Sequence, residues 1–281
     1  CSCARQAMQN GYWTVPEVFR RLPRVALELL GSDDLPKLRR ASVVAAATLR
    51  EVGSRLAPGI STAQIDAWVH ADTLRRGATP SVLGVRSGHA PAFPASVCTS
   101  RNQVVCHGVP RSDDVLEEGD IINVDVTSQL DGFHGDTSAT FLIGQVDAAR
   151  RELVERTRLA LAAGIAEVRP GARIGDIGAA IVAVADAAGM HVIEQFCGHG
   201  IGRRMHMPPQ IPHTGQRGSG LRLRVGMAFT IEPMLTFHPV GLRVLDDGWT
   251  VVTEDGSPSA QFEHTVLVVE GGCEVLTALD V

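Results

Sequence analysis

Residues 121–143 read IINVDVTSQLDGFHGDTSATFLI. The β-branched run Ile121–Val126, the Asp131-Gly132 pair and the return Phe133–Ile143 spell a β-hairpin closed by a two-residue turn. Each arm carries one central carboxylate, Asp125 and Asp136. Asp125 stands six residues before Asp131, and Asp136 four after Gly132. A register slip of two, or a bulge, is therefore expected to bring the pair together on one face. Two carboxylates facing each other beside Ile121, Val124 and Phe141 repel strongly unless they share a proton or a cation. The alternative, a pair of solvated acids flanking a turn, fits these apolar neighbours poorly, so a metal is the better reading.

Outward from the hairpin, helices and strands alternate in blocks. Leu38, Ala41, Ala45, Leu49, Val52 and Leu56 recur at helical spacing before Pro58-Gly59. A second helix is capped by Ser61 or Thr62, has Ile65, Trp68, Val69 and Leu74 on its apolar side, and closes at Gly77. Residues 78–97 read as loop. After the hairpin, Asp147 caps a long helix that stops at Pro170-Gly171, and another helix spans about Ile174–Ala188. Met227–Leu235, Trp249–Thr253, Phe262–Val269 and Glu274–Leu276 read as strands. The fold class is α+β. Two helices beside strands in each part hint at duplicated halves, without a sequence repeat. Residues 1–35 are expected to be an N-terminal extension, surface-lying or mobile, and 36–281 one catalytic domain.

Composition narrows the class. The chain has 281 residues, 44% hydrophobic and 20% charged, which suits a globular protein with a sizeable core. A net charge of −5 disfavours a specific nucleic-acid binder, and no apolar run is long enough for a membrane span. Six scattered cysteines without a CxxC pair indicate free thiols in a reducing compartment, so a cytoplasmic location is expected. No basic-then-apolar leader is expected before the fold. There is no HExxH, no phosphate-binding GxxxxGK[ST] and no nucleophile elbow around Ser219.

A metal needs more donors than two. His199 sits among the glycines of Gly198-His199-Gly200-Ile201-Gly202, where the backbone can crowd a site. Glu232 lies in the apolar run before Pro233, and Glu263 heads the strand running to Val269. Each alone can be an edge-strand acid or a satisfied histidine; a buried, unpartnered strand glutamate would be costly. Together two Asp, two Glu and a neutral His carry −4, which two divalent cations balance. Oxygen and imidazole donors suit Mn, Fe, Co or Zn, and such a pair of cations performs hydrolysis.

The ordered set VCHGVP (105–110), NVDVT (123–127), HGDTSATF (134–141), CGHGIGRRMH (197–206), TIEPM (230–234), DGWTVVT (247–253) and SAQFEHT (259–265) resembles the type I methionine aminopeptidases. Order and spacing match across about residues 36–277. The resemblance implies the pita-bread fold, a curved antiparallel sheet with helices on its outer face and pseudo-twofold halves. It implies two metals chelated and bridged by Asp125 and Asp136, bound by His199 and Glu232 and bridged by Glu263. Glu232 would accept the proton of the attacking water, His107 would hydrogen-bond the scissile amide, and His206 the substrate carbonyl and developing oxyanion. His134 and His264, beside ligands, would orient them. Cys98, Phe93 and Trp249 would line a soft pocket for methionine. The substrates implied are new polypeptides beginning with Met and having a small second residue. A transient ribosome contact and a monomeric state are expected alongside.

The resemblance is incomplete at the substrate side. Residues 83–94 (LGVRSGHAPAFP) are about five longer than the family's aromatic loop, with Val85 where Tyr is common. Met205-His206-Met207-Pro208-Pro209 replaces Phe-His-Glu-x-Pro, and 236–243 (TFHPVGLR) a Lys-rich stretch. Alternatives are thus a proline-directed or otherwise retargeted peptidase of this fold, or a non-catalytic binding paralogue.

Overall fold

A computed structural model describes residues 27–88 and 90–278. Helices α1 (Leu35–Gly53) and α2 (Thr62–Arg75) precede the hairpin, and α3 (Ala148–Ala166) and α4 (Ile174–Ala187) follow it. The main sheet has nine strands: β1 (Thr79–Pro80), β2 (Cys98–Arg101), β3 (Ile121–Leu130), β4 (Phe133–Leu142), β5 (Cys197–Gly200), β6 (Met207–Pro212), β7 (Ala228–Ile231), β8 (Glu263–Val269) and β9 (Gly272–Val275). Their spatial order is β1-β3-β4-β8-β7-β5-β6, with β2 also beside β3 and β9 beside β8. All these pairings are antiparallel. Two three-stranded sheets sit off this path; one joins Met234–Thr236 to Ser259–Gln261 and His191–Val192.

Strand alternation decides which side chains meet the helices. Ile122, Val124 and Val126 of β3 pack with Ala45, Leu49 and Val52 of α1 and Ile65 and Val69 of α2. The intervening Asn123, Asp125 and Thr127 are left on the opposite face. Gly135 of β4 lets helix and sheet approach closely: a Cβ there would stand 2.3 Å from the Ser42 Cα of α1. A second core unites Leu153, Leu161, Ile177 and Ile181 of α3 and α4 with Phe229, Ile231, Val266 and Val268 of the far strands. Each half thus buries its own helix pair, as the sequence hints.

Local chemistry fixes the element ends. The Ser61 hydroxyl accepts from the Gln64 N–H at 3.3 Å while Gln64 Oε1 accepts from the Ser61 N–H at 2.9 Å, a reciprocal cap on α2. Asp147 accepts from the Arg150 N–H at 2.8 Å and starts α3 as expected.

Several expectations need correction. The hairpin has a regular register, Asp125 opposite Ser138 and Thr127 opposite Asp136, with neither slip nor bulge. The two aspartates are diagonal neighbours on one face, close enough for side chains to meet. Leu74 is 48% exposed and belongs to no core. The expected strand Met227–Leu235 breaks after Ile231, because Pro233 has no N–H to continue a ladder. Residues 78–97 are not all loop, since Thr79 and Pro80 pair with Gln129 and Ser128. Of the expected extension, residues 1–26 lie outside the described residues. Residues nearer the fold lie on it: Leu30 is buried beside Leu38 and Ile201, and its N–H donates to the Gly226 carbonyl at 2.8 Å. Among the described residues, no helix is long and apolar enough to cross a membrane.

Candidate metal centre and substrate cleft

The helix-free face of the sheet carries the acids. Asp125, Ser138 and Glu263 form one row across β3, β4 and β8. The small Ser138 lies between the two acids, its hydroxyl accepting from Asn123 Nδ2 at 3.2 Å. Asp136 lies one row along. His199 enters from β5, between two glycines that have no room for a side chain: a Cβ on Gly198 would stand 2.2 Å from the Thr230 carbonyl oxygen, and one on Gly200 2.2 Å from that of Pro208. Glu232 follows the end of β7. The first half of the chain therefore supplies two acids, and the second half two acids and an imidazole.

Ligating atoms of Asp136, His199 and Glu263 all lie within 4.8 Å of one another. His199 Nε2 is 3.7 Å from Asp136 Oδ2 and 3.7 Å from Glu232 Oε1. His199 Nδ1 faces the Gly200 carbonyl at 3.1 Å, so Nδ1 carries the proton and Nε2 turns its lone pair toward the acids. Thr127 donates its hydroxyl to Asp136 Oδ1 at 2.7 Å, and Thr230 donates to Glu232 Oε1 at 2.8 Å while accepting from the His199 N–H at 3.0 Å. Sequence reasoning missed both threonines. Their signal was the two-residue offset from Asp125 and Glu232, which puts side chains on one strand face. Of the imidazoles expected to orient the ligands, His134 Nδ1 bonds Ser81 at 2.9 Å and His264 Nδ1 bonds Thr277 at 2.9 Å. His213, also missed, is 2% exposed, and its Nε2 accepts from the Glu232 N–H at 3.1 Å.

Electrostatics are severe. Burial, then the neighbouring Asp136 and Glu232 charges, hold Asp125 well above the usual carboxylate range. Burial and the other acids do the same to Glu263. Burial pushes Glu232 up to about 8 and Asp136 up to about 6. Burial lowers His199 and His107 to about 4 and His213 to about 3, so all three are neutral at neutral pH. Asp125 Oδ1 is buried without a hydrogen-bond partner among the described residues. An orphaned carboxylate oxygen, three more crowded acids and one free imidazole nitrogen fit hard or borderline divalent cations, with no thiolate needed.

All ten expected site residues line one cleft with the acids: Asp125, Asp136, His199, Glu232, Glu263, His107, His206, Phe93, Cys98 and Trp249. The His206 ring centre is 4.4 Å from that of His199. His107 adopts φ +54°, a strained backbone for a non-glycine, with its ring edge-on to Phe196 at 5.8 Å and to Trp249 at 6.4 Å. Phe93 and Trp249 meet edge-to-face at 5.3 Å. The lengthened 83–94 loop is pinched shut by Phe93 N–H to the Val85 carbonyl, 2.7 Å, and Gly84 N–H to the Phe93 carbonyl, 2.9 Å. Trp249 Nε1 anchors it on the Pro91 carbonyl at 2.8 Å. Val85, Phe196 and Met205 complete the apolar wall; Phe196 was unforeseen.

Comparison with known proteins agrees. The family model for metallopeptidase family M24 matches residues 36–270. Methionine aminopeptidase B of Synechocystis is 52% identical, covering 89% of this chain and 92% of that protein. Methionine aminopeptidase 2 of Mycobacterium tuberculosis is 44% identical, covering 87% and 84%. The crystal structure of methionine aminopeptidase from Rickettsia prowazekii superposes with TM-score 0.86 at 41% identity, over 90% of this chain and 100% of that one. A Pyrococcus furiosus prolidase, at 19% identity and TM-score 0.70, shares the fold. The α+β pita-bread architecture read from the sequence is the one observed. By this sequence match, this fold and these donors, the chain belongs to metallopeptidase family M24, among its methionine aminopeptidases.

Proposed function

We propose that this chain removes the N-terminal methionine from polypeptides with a small second residue, by hydrolysing the first peptide bond. One observation carries the reading: four acids and a neutral imidazole converge in the cleft that Phe93, Cys98 and Trp249 wall, with Asp125 Oδ1 unpartnered. Two divalent cations, drawn from Co, Mn, Fe or Zn, would be held by Asp125, Asp136, His199, Glu232 and Glu263. When bound, they lower the pKa of an attacking water and polarise the scissile carbonyl.

The chain's own groups do the rest. Glu232 accepts the attacking water's proton; its carboxylate is kept in place by Thr230. Neutral His206 donates to the substrate carbonyl and then to the developing oxyanion, help worth roughly 10²–10³ in rate. His107 hydrogen-bonds the scissile amide, its ring fixed by Phe196 and Trp249. Phe93, Cys98 and Trp249 surround the thioether, a polarisable group suited to aromatic edges and thiols. The catalytic unit is residues 36–281, acting as a monomer in the cytoplasm on new chains, with a transient ribosome contact.

The altered wall at Val85 and Met205 keeps a second reading alive, retargeting to Xaa-Pro peptides. The test is release of free methionine from Met-Ala-Ser beside cleavage of a Xaa-Pro peptide, without metal and then with each cation. Metal-dependent methionine release is expected. Xaa-Pro cleavage without methionine release contradicts the reading.

A further inference from the structure

Glu232 occupies a joint in the chain. The β7 ladder ends with Ile231 opposite His264, Pro233 has no N–H, and the next strand, Met234–Thr236, belongs to a different sheet. Between the two sheets no ladder hydrogen bond holds the Glu232 backbone. Its N–H donates instead to a side chain, His213 Nε2, at 3.1 Å. His213 directly follows β6, which pairs with β5 and so with the strand that carries His199. One imidazole therefore ties the joint bearing Glu232 to the strands bearing His199.

With Nε2 accepting, Nδ1 carries the proton, and Nδ1 is buried without a partner among the described residues. An unsatisfied buried donor is disfavoured, and a leucine of similar volume would avoid it. The distances at stake are short: Glu232 Oε1 lies 3.7 Å from His199 Nε2, so a small shift of the joint would spoil a shared cation. Thr230 fixes the carboxylate end of Glu232, and nothing but His213 fixes its backbone N–H among the described residues.

We propose that His213 is a positioning residue for the metal centre: its Nε2 clamps the Glu232 backbone, and this clamp sets the affinity for the divalent cation that Glu232 and His199 share. The inference rests on the reading of Glu232 as a metal ligand. It assigns His213 no contact with substrate.

The test is calorimetric titration of metal-free enzyme with Mn²⁺, read as stoichiometry and affinity, with kcat and KM on Met-Ala-Ser alongside. His213→Leu removes the acceptor, and His213→Gln restores one at the same reach from the backbone. In His213→Leu the Mn²⁺ site that includes Glu232 is expected to lose about 10–100-fold in affinity. Its kcat should fall at saturating peptide and low Mn²⁺ with KM little changed, and high Mn²⁺ should recover much of the loss. His213→Gln should sit near wild type in both readouts. A merely structural role would lower the melting temperature of both variants and leave Mn²⁺ affinity alone, which overturns the proposal. So does wild-type Mn²⁺ affinity in both variants. Glu232→Gln separates the premises: two Mn²⁺ held at full affinity by that variant defeats the ligand reading itself, whereas a lost cation there, with His213→Leu unaffected, defeats only the clamp.

Discussion

Asp125 shows how little a single residue needs to reveal its purpose. Its carboxylate is pushed well above the ordinary range by burial and by Asp136 and Glu232, and one oxygen has no partner. Without cations such a group is a liability, so Asp125→Asn should raise the metal-free stability at pH 8 by about 1–2 kcal/mol. The same variant should lose the added stability that Mn²⁺ gives the wild type, as thermal unfolding with and without Mn²⁺ will show. His206→Ala tests the other role: kcat should fall roughly 10²–10³-fold with little change in Mn²⁺ affinity. Asp125 was legible because it is a polar group stranded in an apolar strand, whereas His206 was named only through the family resemblance. Thr127, Thr230 and His213 were not legible, since a threonine in a strand is ordinary and the His213 bond is made across the fold to a backbone N–H.

At the scale of elements, period-two alternation was the legible signal. It sends Ile122, Val124 and Val126 to the helices and Asp125 to the site, and it holds whatever the register. The register itself was misread, because diagonal pairs in a regular hairpin already touch and no slip is required. The short strands Cys98–Arg101, Cys197–Gly200 and Met207–Pro212 went unread. Their glycines, prolines and charged ends imitate loops, and they are strands only because long neighbours offer them ladders. Gly135 tests the helix–sheet contact. In Gly135→Ala the methyl would meet the α1 backbone, which cannot rotate away as a side chain can. A loss of about 1–3 kcal/mol in denaturant unfolding is expected. Ser61→Ala, which breaks the cap on α2, should cost about 1 kcal/mol.

For the whole molecule, the halves bring opposing titrations into one cavity. Glu232 at about 8 and Asp136 at about 6 stand above their ordinary values of 4.5 and 3.8. The folded protein thus keeps protons that the unfolded chain has released, so these two acids cost stability as pH rises from about 4, Asp136 up to about 6 and Glu232 up to about 8. Buried histidines work the other way. His107, His199 and His264 lie near 4 and His213 near 3, against 6.5 when free, so their stability is lost as pH falls below 6.5. Metal-free protein should therefore melt highest near pH 6–6.5, with the alkaline limb flattened by Mn²⁺. A metal-free melting temperature that rises from pH 6.5 to 8.5 contradicts this balance.

The central claim is that five side chains from two half-molecules hold a pair of divalent cations in the methionine cleft. Anomalous scattering from a crystal soaked in Mn²⁺ tests it directly. Two manganese peaks about 3.5–4 Å apart are expected, enclosed by Asp125, Asp136, His199, Glu232 and Glu263. Manganese bound elsewhere, or none in this cavity, in crystals whose protein still releases methionine, would contradict it.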